Sequence, residues 1–248
     1  LILVPFVLSL LGFASPAAAG LIGPGSGTAT VSPTTAVVDT PGTWTFVYDP
    51  EDNFTNGTIE LTIPAGWTAP QVTDPAAPGY VTATSDHTAI LTLGVSGQRL
   101  TISVDDLPAP KFITIVYGDD SGGANPGARA VPPSTADPAV EFLIESDPTG
   151  VAVSSIADSP TLDLKGGPAT DLVFTNVAFV FQTTGEGGPY VVEARDVYGN
   201  PSEMRADQWI ALSSNSGSGV FSATSGGPAV TSVLMPVGSS TVSFYYRD

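Results

Sequence analysis

The chain has 248 residues, no cysteine, and 7 Lys+Arg against 24 Asp+Glu, a net charge of −17. Disulfides, thiolate metal sites and cysteine nucleophiles are therefore excluded. The few cations are not clustered, which excludes phosphate-backbone binding to nucleic acid and attachment to anionic membrane surfaces; the acidity reads as solubility and mutual repulsion.

The first 14 residues are a continuous apolar run, followed by Pro16 and then Ala17, Ala18 and Ala19. That is the layout of a signal peptide with a small-residue cleavage site, so residues 1–19 are expected to be an export signal. An uncleaved anchor is the alternative, although the run is short for a span. The run has no initiating Met or basic flank, so a sequence truncated at this end is expected.

From residue 27 the pattern has period two. Thr28 to Val38 alternates weakly; Trp44, Phe46 and Tyr48 then share one face, as do Ile59, Leu61 and Ile63. Further strands are expected at 80–84, 89–93, 100–104, 112–117, 139–144 and 160–164. Short strands at such spacing, with Gly and Pro in the turns, predict a β-sandwich. Residues 118–137 are polar and rich in Gly and Pro, and read as a long surface loop. Lys165 to Pro168 reads as a short hinge. Beyond it, strands are expected at 172–174, 190–194, 209–213, 231–235 and 241–246. The run 190–194 is stopped by Asp196-Val-Tyr-Gly-Asn-Pro201, because Gly and Asn tolerate positive φ and Pro cannot donate to a ladder. No segment carries ten residues of helical periodicity. The expected organisation is a signal peptide at 1–19, a first sandwich domain at 27–164 and a second at 168–248. The chain stops directly after a strand, so the second domain is expected to be incomplete at its C-terminus, with further domains beyond Asp248.

Residues 56–70 (NGTIELTIPAGWTAP), 78–81 (PGYV) and 113–118 (ITIVYG) resemble a domain that recurs in bacterial exported surface proteins with Ig-like repeats. Residues 194–201 (ARDVYGNP), 212–219 (LSSNSGSG) and 238–246 (GSSTVSFYY) resemble a bacterial Ig-like repeat of such proteins. The resemblance implies all-β, tandem Ig-like β-sandwich domains in a long chain that projects from or coats a cell. It supplies no catalytic residues, and only one copy of each unit is present here.

Candidate chemistry is sparse. Asp120-Ser-Gly-Gly123 resembles the nucleophile stretch of trypsin-like serine proteases, with His87 and Asp105 upstream in that family's order. Asp119 stands where that family has Gly, and only 34 residues separate His87 from Ser121. A triad needs base, orienter and nucleophile in hydrogen-bond reach, so a Gly-rich loop and a turn histidine are the reading. Hard cations want several oxygens, which makes the acidic turns at Asp49, Glu51, Asp52 and Asn53, at Asp105 and Asp106, and at Asp119 and Asp120 the calcium candidates. The first of these lacks the Gly and closing Glu of an EF-hand loop. Trp44 and Trp209 lie in alternating strands and read as core. Trp67, in a turn, and Tyr80 are the aromatic-surface candidates for sugar stacking. Asn53 and Asn56 each head an Asn-x-Thr triplet, which reads as a turn here. The expectation is a non-catalytic, secreted or cell-surface structural or adhesive protein without a cofactor. Its partners would be other surface proteins or extracellular glycans. The alternative is a carbohydrate-binding accessory region of a larger secreted enzyme.

Overall fold

The computed structural model describes residues 23–122, 126–176 and 185–248; the expected leader at 1–19 lies outside them. In chain order the strands are β1 (Thr28–Ser32), β2 (Thr35–Val37), β3 (Trp44–Asp49), β4 (Phe54–Thr62), β5 (Val81–Ser85), β6 (Leu91–Ser96) and β7 (Arg99–Leu107). Then come β8 (Ile113–Tyr117), β9 (Asp137–Glu141), β10 (Leu143–Asp147), β11 (Ser154–Ser155) and β12 (Thr161–Lys165). The last group is β13 (Asp171–Phe174), β14 (Glu186–Arg195), β15 (Gln208–Ala211), β16 (Val220–Ser222), β17 (Ala229–Val230), β18 (Ser232–Met235) and β19 (Thr241–Arg247). Among the described residues the only helical element is a 3-10 turn at Pro126–Ala128. None of their helices is long and apolar enough to cross a membrane. The protein is all-β.

Strands β1 to β12 build three sheets, ordered β1-β3-β8-β5, β11-β10-β4-β7-β6 and β2-β12-β9. Alternation dictates the inward faces. Trp44, Phe46 and Tyr48 on β3 lie opposite Tyr117, Ile115 and Ile113 on β8. On the second sheet Ile59 pairs with Ile102 and Leu61 with Leu100. All of these residues belong to one buried cluster, the interior of a sandwich-like packing. Phe142 lies between the sheets, 5.0 Å from Phe46 and 5.1 Å from Trp67 by ring centroids. The two buried phenols find acceptors: Tyr48 Oη donates to the Ser26 carbonyl at 2.6 Å, and Tyr117 Oη to the Thr68 carbonyl. Burial pushes the Tyr48 hydroxyl up to about 12, and burial raises Tyr117 as well.

Two expected strands are divided. The 139–144 run breaks at Phe142, whose N–H turns to the Pro160 carbonyl. β9 therefore pairs with β12 while β10 pairs with β4, in a different sheet. Likewise 28–38 breaks around Pro33, which has no N–H for a ladder; β1 joins β3, and β2 runs parallel to β12. The long stretch 118–137 is tied down where it is described. Gly42 and Ala130 exchange backbone hydrogen bonds, the Thr68 N–H bonds to the Val131 carbonyl, and Ala128 and Ala130 are fully buried.

Strands β13 to β19 build a five-stranded sheet, β13-β14-β19-β16-β17, and a pair, β15-β18. Their cluster is smaller, with Val192, Val233 and Phe244 buried and Tyr190, Ile210, Leu212 and Phe221 partly covered. Between the two cores, Lys165 to Pro168 is not an open hinge. Gly167 donates to Asp196 Oδ2 at 2.8 Å and accepts from Ser202 Oγ at 2.6 Å.

Candidate functional site

The serine-protease-like residues do not come together as a triad. His87 Nε2 lies 3.7 Å from Asp106 Oδ2, not from Asp105. Asp105 Oδ1 is engaged at 2.7 Å by the backbone N–H groups of Ile90 and Asp106. Ser121 uses its backbone N–H to bind Asp119 Oδ1 at 2.9 Å. Asp119 heads a turn in which its carboxylate caps the backbone two residues on.

The acidic turns are dispersed in the same way. Asp119 is buried, and its Oδ2 accepts from Thr82 Oγ1 at 2.5 Å. Burial pushes its carboxyl up, but the hydrogen bonds from Ser121 and Thr82 outweigh burial and hold it below the ordinary carboxylate range. Asp120 points elsewhere, to Arg129 Nε at 2.7 Å. Asp49 and Glu51 are exposed, while Asp52 Oδ2 is enclosed without a hydrogen-bond partner among the described residues. Asn53 caps the backbone N–H of Ala109 at 2.8 Å. Among the described residues no three His, Asp or Glu side chains converge as a metal cluster.

The aromatic expectation is reversed. Trp67 is 4% exposed; its ring stands edge-on to Trp44 at 4.9 Å and to Phe142 at 5.1 Å. The turn carrying it folds over the end of the sandwich, where Gln98 Nε2 donates to the Pro64 and Trp67 carbonyls, and so drives the indole inward. Trp67 has no free face for a sugar. Tyr80 is half-buried, and its carbonyl receives the N–H groups of Gly118 and Asp119. Trp44 is core, as expected. Trp209, expected inside, is 63% exposed. It sits on β15, in a sheet of only two strands, where it lies across from Leu234.

Sequence reasoning missed an open cleft of about 680 Å³ beside the second cluster. Its lining includes Phe174, Tyr190, Ile210, Phe221, Phe244 and Tyr246, with Ser214 and Asn215 at hand as polar groups. Tyr190 stacks on Phe244 at 5.5 Å, and Phe221 meets Phe244 edge-on at 5.7 Å. Tyr190, Phe244 and Tyr246 lie in strands the sequence pattern predicts, but no local pattern shows that their rings line a common cleft. An aromatic cleft that also carries serine, asparagine and aspartate groups has the make-up of a small-ligand or sugar site.

No family model matches the chain, and no curated protein matches it.

Proposed function

We propose that the protein is a non-catalytic, secreted or cell-surface structural or adhesive protein built from tandem Ig-like sandwiches. The observation carrying this reading is that two separate apolar cores, each wrapped in sheets, follow one another along one chain across a short linker. Rods and coats are assembled from such serial units. The apolar leader in the sequence and the surface-protein resemblance of residues 56–70 and 194–201 support export. The net charge of −17 suits a crowded surface layer that must not collapse on itself. No resident cofactor is proposed: Asp119 and Asp120, one of the three acidic turns considered for calcium, each serve a neighbour of the protein itself.

Fractionation of cells producing the full-length protein tests the location. Recovery in the envelope or medium supports the reading, and recovery in the cytoplasm of cells with working export sinks it.

The second reading, a carbohydrate-binding accessory region, is favoured by the exposed indole of Trp209 and by the aromatic cleft. Under it, W209A should abolish retention on a polysaccharide column. The substitution should shift stability by no more than about 0.5 kcal/mol, as expected of an exposed side chain. Under the structural reading, retention is absent before and after the substitution.

A further inference from the structure

The turn after β14 does more than end a strand. Asp196 is buried, and all its acceptor capacity is in use. Oδ1 takes the backbone N–H groups of Tyr198 at 2.9 Å and Asn200 at 2.8 Å. Oδ2 takes the Gly167 N–H at 2.8 Å and Asn200 Nδ2 at 2.9 Å. A carboxylate removed from water requires this many donors. The carboxylate thus holds the turn in shape and presents the Asn200 amide outward.

That amide crosses to the first unit. Asn200 Nδ2 donates to the Ser134 carbonyl at 2.8 Å, and Asn200 Oδ1 accepts the Ala136 N–H at 2.9 Å. Ser134 and Ala136 precede β9, so the side-chain amide offers them the donor and acceptor that a neighbouring strand would offer. Three contacts frame the pair. Tyr198 Oη donates to Asp39 Oδ2 at 2.5 Å, Lys165 Nζ to Glu203 Oε2 at 2.7 Å, and Ser202 Oγ to the Gly167 carbonyl. The linker itself is pressed against the turn: a Cβ on Gly166 would collide with the carbonyl of Pro201.

We infer that residues 196–202 are a docking plug whose receptor is the backbone of residues 134–136, and that this contact joins the two units into one rigid body. The receptor recognises a particular chemistry, an acidic turn that displays a primary amide. A unit lacking the Asn has nothing to pair with that backbone. The inference concerns the joint alone and does not depend on where the protein resides.

Residual dipolar couplings measured on the whole chain test it. With the plug seated, amides of both units fit one alignment tensor. N200A should split that fit into two tensors of different orientation or magnitude while each unit keeps its native amide spectrum. A136P should do the same from the other side, since it deletes the receptor's N–H without touching the turn. If one variant loses its native spectrum, the other decides. If neither folds, the unaltered chain decides by itself. Two tensors in the unaltered chain, or one shared tensor in a natively folded variant, would overturn the inference.

Discussion

W67A is expected to destabilise the first unit by about 3–5 kcal/mol, the range for deleting a large aromatic from a packed core. Its ring lies between Trp44 and Phe142, and Phe142 in turn lies against Phe46, so the deletion opens a void at the centre of a four-ring cluster. Cavities of that kind collapse poorly, because the neighbouring rings are themselves fixed by packing. Chemical denaturation followed by near-ultraviolet circular dichroism measures the loss. An unaltered midpoint would mean that Trp67 lies on the surface. The result also bears on binding assays, because any ligand lost with W67A would be lost through unfolding. Trp209 is the indole to remove if a sugar platform is being sought.

D196A is expected to cost about 3 kcal/mol or more, since it strands the four N–H groups that its carboxylate serves and each charged hydrogen bond carries a sizeable share. The effect should depend on pH, and the sign follows from the shift. Burial raises the Asp196 carboxyl, but the hydrogen bonds from Asn200, Gly167 and Tyr198 together outweigh burial and hold it below the ordinary range. The folded value therefore lies below the unfolded one, which is about 3.9. The stabilisation is complete above that unfolded value and is lost as pH falls through the lower, folded value. Asp119 titrates in the same sense. Urea midpoints of the parent and D196A should differ most at neutral pH, begin to approach one another below about pH 4 and converge only once pH has fallen through the folded value. A gap that widens in acid would show that the carboxyl is held high instead.

Strands with one wet and one dry face were legible, because period two is a local property: 43–48, 58–63 and 100–104 are buried on the residues that the alternation assigns inward. What alternation does not encode is which sheet a strand joins. Phe142 and Pro33 mark crossings between sheets, and in each case the cause is where an N–H finds its acceptor, or that it has none. The two indoles were exchanged for a related reason. Trp67 lies in a turn yet is buried by a distant glutamine and two distant rings, whereas Trp209 lies in a strand whose sheet is too narrow to cover it. Of the joint, the Asp-x-x-Gly-Asn spacing showed that a turn forms. Its reach to Ser134 and Ala136 spans more than sixty residues, and no local pattern carries that.

The parallel pairing of β2 with β12 has a mechanical meaning. β2 lies near the start of the first unit, and β12 runs straight into the linker. Their ladder, Thr35 with Asp163 through Val37 with Lys165, is extended by Asp163 N–H to Thr34 and Val38 N–H to Lys165. Tension that enters along the early strands and leaves through Lys165 draws these two strands past each other along their length. The bonds are then loaded in shear and share the force, whereas a hairpin pulled from its open end unzips one bond at a time. A chain of such units would yield abruptly, unit by unit, rather than creep.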